Sequence, residues 1–147
     1  MRKRALLMAV VMALTILAST RVASAQQLMV VNIPFDFAVG NKTLPAGEYS
    51  VKDSPALNTL LLLDREDPAQ GAFLPTLSLD AREIQSESKL VFNRYGNRYF
   101  LSQVWSAGRS GGRQLLMSDR EKEMAQVAKL ENQGQVTLVA SLPRTNP

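Results

Sequence analysis

Histidine and cysteine are both absent from this 147-residue chain, and tryptophan occurs once. Without imidazole there is no His-based acid–base chemistry. Without thiols there is no Cys nucleophile, no disulfide, and no zinc or haem site built on those ligands. Acid is missing from one region as well, since none precedes Asp36, whereas Arg2, Lys3, Arg4 and Arg21 do. The net charge of +4 and pI near 9.7 invite a nucleic-acid reading. Setting those four aside leaves 13 of the 17 basic residues, which equals the 13 acids. A neutral body lacks the electrostatic footprint that duplex binding requires, so no nucleic-acid partner is expected.

The early basic residues belong to a three-part leader. Arg2-Lys3-Arg4 is a basic start, Ala5 to Ala18 is an apolar run broken only by Thr15, and Ala23-Ser24-Ala25 is a small-x-small cleavage site. This is the pattern of a signal peptide over residues 1–25, with a single β-rich domain over 26–147. The 14-residue apolar run is short of the roughly 20 needed to span a bilayer, so no transmembrane segment is expected after cleavage. No Arg-Arg pair supports twin-arginine export, and no Cys offers an acylation site. The expectation is export by the general secretory route to the periplasm or the extracellular medium. A cysteine-free exported domain suits a bacterial envelope better than a disulfide-rich extracellular module.

The body has a period of two. Val31, Ile33, Phe35, Phe37 and Val39 alternate with polar or small residues, predicting a strand that Pro34 confines to an edge or a bulge. Leu44-Pro45-Ala46-Gly47 suits a type I turn, and Tyr49 and Val51 continue into a second strand. Leu60 to Leu63 is short enough to be a strand buried on both faces. Phe73, Leu77 and Leu79 alternate in a fourth. Gly96-Asn97 is a two-residue hairpin loop that predicts Tyr95 opposite Arg98, Arg94 opposite Tyr99, Phe92 opposite Leu101 and Leu90 opposite Gln103. That register puts Leu90, Phe92, Tyr99, Leu101 and Trp105 on one face with Arg94, apolar enough to be core. Val91, Asn93, Tyr95, Arg98, Phe100 and Ser102 then form a mixed face open to solvent or a partner.

Ser106 to Arg113 reads as a glycine-rich loop. Ser118-Asp119-Arg120-Glu121 matches a capping box opening a helix, with Met124, Val127 and Ala128 as its apolar stripe. Val136, Leu138, Ala140 and Leu142 form a last strand. The fold class expected is mainly β, an antiparallel sandwich or small barrel of about seven strands with one helix in the C-terminal region.

From Lys89 to Ser118 there are five basic residues and no acid, with aromatics interleaved. Arg94, Tyr95, Arg98, Phe100, Arg109 and Arg113 are therefore a candidate binding face for an anionic glycan or other envelope component. The alternative is aromatics in the core and arginines on a solvated rim. Gly108 to Arg113 lacks the spacing and the Lys-Ser/Thr pair of a phosphate-binding loop. Asp64, Glu66 and Asp67 have the wrong spacing for an EF-hand and enclose Arg65, so they read as a charged turn. Asp36 and Glu48 are the carboxylates best placed to meet as a hydrolase pair, yet alternation turns Asp36 outward. No constellation supports catalysis, and no metal or cofactor is expected.

Three strings, Val31-Asn32-Ile33-Pro34-Phe35-Asp36-Phe37, Leu44-Pro45-Ala46-Gly47-Glu48-Tyr49 and Arg94-Tyr95-Gly96-Asn97-Arg98-Tyr99-Phe100-Leu101, together resemble an uncharacterised family of small exported bacterial β-rich proteins. The resemblance implies export and a β-rich body, and it brings no activity or site residues with it. The expected function is a non-enzymatic binding or structural domain of the envelope or medium. Two alternatives are a small barrel carrying an apolar ligand, lined by Leu60 to Leu63, Phe73, Phe92 and Trp105, and a carboxylate-dependent hydrolase.

Overall fold

A computed structural model of the protein describes residues 27–128 and 133–141. The expected leader, residues 1–25, and the end of the expected last strand at Leu142 lie outside the described residues. Within them the chain is mainly β. Strands β1 (Gln27–Ile33), β2 (Phe37–Val39), β3 (Lys42–Leu44), β4 (Gly47–Ser54) and β5 (Thr59–Asp64) come first. They are followed by β6 (Gly71–Asp80), β7 (Lys89–Tyr95), β8 (Arg98–Trp105), β9 (Gly111–Leu115), helix α1 (Asp119–Ala128) and β10 (Gln133–Val139). The long strand expected from Val31 to Val39 is two strands, because the chain turns aside at Pro34 to Asp36. Counting this division, the short β3 and a strand at β9, the described residues hold more strands than the seven or so expected.

All ten strands join one open sheet, in the order β1-β4-β5-β6-β9-β8-β2-β3, with β7 on β8 and β10 on β7. Every pairing is antiparallel except the contact of β2 with β8. β6 serves two neighbours: Gly71 to Pro75 pair with β5, and Thr76 to Asp80 with β9. Pro75, which has no N–H to donate, sits where the partner changes. β1 also meets the segment just after β10, as the N–H groups of Val30 and Ser141 each donate to the other's carbonyl at 2.8 Å.

The inner face carries the core, which includes Met29, Ile33, Phe37, Leu44, Tyr49, Leu60, Leu62, Leu90 and Phe92, all nearly without exposure. Burying side chains of this size stabilises by about 1.5–3 kcal/mol each. A string of ring contacts runs through it. Phe35 stacks on Tyr99 at 3.8 Å and meets Phe92 edge-on, and Phe37 meets both Phe92 and Tyr49 edge-on. β5 alternates rather than being buried on both faces: Leu60 and Leu62 are buried, Leu61 and Leu63 only half so.

Two phases differ from the sequence expectation. Leu74 lies opposite buried Leu60, and directly opposed residues share a face. Leu74 and Thr76 therefore point inward, which leaves Phe73 and Leu77 outside at 65% and 56% exposure. Phe73 thus lines no interior. In the hairpin, Tyr95–Arg98, Arg94–Tyr99 and Phe92–Leu101 pair as expected, but Val91 meets Gln103 and Leu90 meets Val104. Ser102 is the extra residue of a β-bulge, and beyond a bulge the alternation of faces inverts. Val104 joins the core in consequence, while Trp105 moves off it.

Helix α1 covers the hairpin's mixed face. Met124, Ala125 and Ala128 pack on Ala38, Tyr95 and Phe100, while Val127, expected in the stripe, is 73% exposed. The face expected to meet solvent or a partner is thus largely occupied by the protein's own helix.

Candidate functional site

The six candidate residues do not form one surface. Arg98 and Phe100 line one cleft, Arg109 and Arg113 line a second, and Arg94 and Tyr95 line neither. Tyr95 is buried, and its hydroxyl donates to Glu121 Oε1 at 3.2 Å. Burial, then the Glu121 carboxylate, raises the Tyr95 pKa above its ordinary value. Phe100 is packed beneath α1. Arg94 is half-buried, its Nε has no hydrogen-bond partner among the described residues, and its guanidinium lies over Gly134 of β10.

The second cleft holds about 180 Å³ and is lined by Asp53, Ser78, Leu79, Asp80, Arg109, Gly111, Gly112 and Arg113. It exists because the segment read as a loop becomes β9 from Gly111 onward. Gly112 stands opposite Trp105, and a Cβ there would lie 2.5 Å from the indole, so only glycine lets the ring cross the strand. Alternation then turns Arg113 inward. Its Nε donates to Asp53 Oδ1 at 3.0 Å, and its Nη1 donates to Ser78 Oγ and Asn58 Oδ1 at 3.0 and 3.2 Å. Asn58 reaches this position from a turn with φ of 48°, a conformation asparagine tolerates. Arg113 is therefore committed to a buried ion pair. Arg109 remains exposed at the rim.

The first cleft, also about 180 Å³, draws on four parts of the chain. Asp36 comes from the β1–β2 connection, Thr43 from β3, Asn97 and Arg98 from the hairpin turn and β8, and Arg120 from the first turn of α1. Phe37, Ala38, Tyr99 and Phe100 form its apolar floor. Asp36 Oδ1 accepts the Ala46 N–H at 2.9 Å, which secures the turn before β4. Arg120 Nη1 donates to Thr43 Oγ1 at 3.1 Å, tying the helix to β3. The Arg98 guanidinium has no partner among the described residues, and neither arginine has a carboxylate within ion-pair distance there.

Sequence reading missed Arg120, Thr43 and Asp36 as neighbours of Arg98. One signal was present. A cation in the first turn of a helix opposes the helix dipole, so Arg120 sits where local electrostatics disfavours it.

The carboxylates considered for catalysis or metal are engaged separately. Glu48 pairs with Arg65, and Asp64 Oδ1 accepts the N–H groups of Glu66 and Asp67 in a tight turn. Tyr49 lies against Asp64, with its hydroxyl donating to the Pro45 carbonyl at 2.7 Å. Burial, reinforced by the Asp64 charge, pushes the Tyr49 pKa up to about 12. Among the described residues no group of three or more carboxylates could hold a metal, and no helix is long and apolar enough to cross a membrane.

The fold and the two clefts define a mainly β protein with arginine-lined surface recesses, of which only the first carries an excess of positive charge. No protein-family model, curated protein or solved structure matches the chain.

Proposed function

We propose that this chain is an exported bacterial β-domain that acts by binding an envelope or extracellular component and not by catalysis. The leader pattern of residues 1–25 supports export, and the shared strings support membership of the family it resembles. The body is a small barrel of eight strands, β1-β4-β5-β6-β9-β8-β7-β10, that closes through the Val30–Ser141 pair of hydrogen bonds. β2 and β3 lie off this circuit.

The observation that carries the reading is the filled inner face. Tyr49, Phe37, Phe92, Met29, Ile33, Leu60 and Leu62 are each under 2% exposed. Barrels of about eight strands are just wide enough for such side chains to fill. A filled interior counts against the carrier alternative and leaves the surface as the route to function. Asp36 and Glu48, tied to a turn and to Arg65, give the hydrolase alternative no support.

Capture from envelope fractions on the immobilised protein tests this. A retained glycan, lipid or protein that is competed off by free protein is the expected result. No retained component would overturn the binding reading. Native mass spectrometry of protein purified without detergent addresses the carrier alternative: a bare mass is expected, and a co-purifying lipid would reinstate it.

A further inference from the structure

We infer that the cleft between Arg98 and Arg120 is a subsite for one carboxylated sugar residue of an acidic glycan. The inference rests on the binding reading above and assigns it a place and a ligand chemistry. Four features support it.

The cleft has an uncompensated positive charge. Arg98 and Arg120 contribute two guanidiniums and Asp36 one carboxylate, and no other charged side chain lines it. Asp36 forms no ion pair with either arginine. Its Oδ1 is held by the Ala46 N–H instead.

One of the cations, Arg120, stands at the N-terminal turn of the helix between Asp119 and Glu121. Arg120 lies at the positive end of α1, where an acid would be favoured. Its single bond to Thr43 holds the side chain over the cleft while leaving the other guanidinium donors unused. Arginine's planar fork matches a carboxylate with two parallel bonds, which an ammonium cannot do.

The cleft also offers groups for hydroxyls. Asp36 Oδ2, the Asn97 amide and the Thr43 hydroxyl supply acceptors and donors around an apolar floor of Phe37, Ala38, Tyr99 and Phe100. A few convergent polar groups over an apolar surface is the usual composition of a small-ligand site. A bare phosphate would leave the acceptor Asp36 unsatisfied and repelled. A uronate-like ring answers both the guanidiniums and the carboxylate.

The frame beneath is built of paired strands and packed rings. The floor belongs to β2 and β8, and Tyr99 is stacked on Phe35. Glu121, next to Arg120, is buried and holds α1 to β7 through Asn93 Nδ2 at 2.9 Å and the Tyr95 hydroxyl.

The test uses oligogalacturonate, its methyl-esterified form and inorganic polyphosphate, each titrated against the purified protein by calorimetry at low salt. Saturable binding of oligogalacturonate is expected, with at least a tenfold weaker affinity for the methyl ester and for polyphosphate. Arg98→Gln and Arg120→Gln should each weaken oligogalacturonate binding at least tenfold, Arg98→Lys by less, and Arg109→Gln, in the other cleft, not at all. Both Gln variants alter exposed side chains, and circular dichroism confirms that they fold.

Absence of binding overturns the inference, as does equal binding of the ester, equal binding of polyphosphate, or full affinity in both Gln variants. If envelope capture retains a partner that the Gln variants hold equally well, the subsite is wrong and the binding reading stands. If capture retains nothing, the binding reading itself has failed.

Discussion

Arg113 is the residue whose role changes most between sequence and structure. In the sequence it is one of five cations in an acid-free stretch; in the fold it is 8% exposed and paired with Asp53. Removing one member of such a pair strands the other charge in the interior, at a cost of about 3–5 kcal/mol. Arg113→Met should lower unfolding stability by that amount in urea titration, and Asp53→Leu added to it should restore most of the loss. A single variant as stable as the parent would show that the pair is not desolvated. Tyr49 gives a second prediction at this scale. In the unfolded chain its hydroxyl ionises near 10.0, and in the folded one near 12. Between those values the unfolded state releases a proton that the native state keeps, so stability is intact below pH 10 and falls as pH rises towards 12. Tyr49→Phe removes this linkage. Its stability should fall less between pH 9 and pH 12 than the parent's, and parallel pH profiles would contradict the assignment.

Among the elements, β8 and β9 decide the geometry of both clefts. The Ser102 bulge shifts Val104 into the core, and the bulged residue's carbonyl and hydroxyl both accept from Gln114 Nε2 at 3.0 and 3.2 Å. β9 is held by β6 along its whole length, and at Gly112 it passes so close to Trp105 that a Cβ would lie 2.5 Å from the ring. Gly112→Ala forces the ring aside, and overpacking of this kind costs about 1–3 kcal/mol. With one tryptophan in the chain, the check is its fluorescence. A red shift with reduced stability is expected, and an unchanged spectrum and midpoint would refute the contact. Helix α1 shows how tertiary demand alters a local motif. Ser118 Oγ accepts the Glu121 N–H at 3.2 Å, as a capping box requires. The Glu121 side chain does not return the bond, because Asn93 and Tyr95 take its carboxylate instead.

For the whole molecule, the question is how firmly β1 and β10 meet. Their junction rests on two backbone hydrogen bonds between Val30 and Ser141 and a longer third from Ser141 Oγ to the Val30 carbonyl at 3.4 Å, with the Ala140 N–H donating to the Ser88 carbonyl beside them. Ser141→Pro deletes both Ser141 donors to the Val30 carbonyl, the N–H and the hydroxyl, and a net hydrogen bond is worth about 1 kcal/mol. In hydrogen exchange, the Val30 amide should be protected in the parent and exchange several-fold faster in the variant, with the β7–β8 amides unchanged. An unprotected Val30 amide in the parent would mean an open seam and remove the barrel form.

Whatever depended on neighbours along the chain was legible without coordinates. The Gly96-Asn97 turn and its first pairs, the Ser118 start of α1 and the strand from Gly47 to Ser54 follow from φ preferences, caps and period-two alternation, all of which act within a few residues. The rest was set by contacts distant in sequence. Opposing Leu60 inverted the phase of β6, Ser102 inverted the far half of the hairpin, pairing with β6 made a strand of Gly111 to Leu115, and Asp53 drew Arg113 inward. Of the candidate site, Arg98 and Phe100 were visible in sequence and Asp36 only as a possible partner of Glu48, but the meeting of Asp36, Thr43 and Arg120 with Arg98 was not, since they arrive from separate elements. Composition determined which chemistries this chain cannot perform and where its charge lies along the chain. Only the tertiary structure decided which cations are neutralised inside and which are left facing a cleft, because pairing depends on distance in space and alternation fixes only which side of a strand a residue takes.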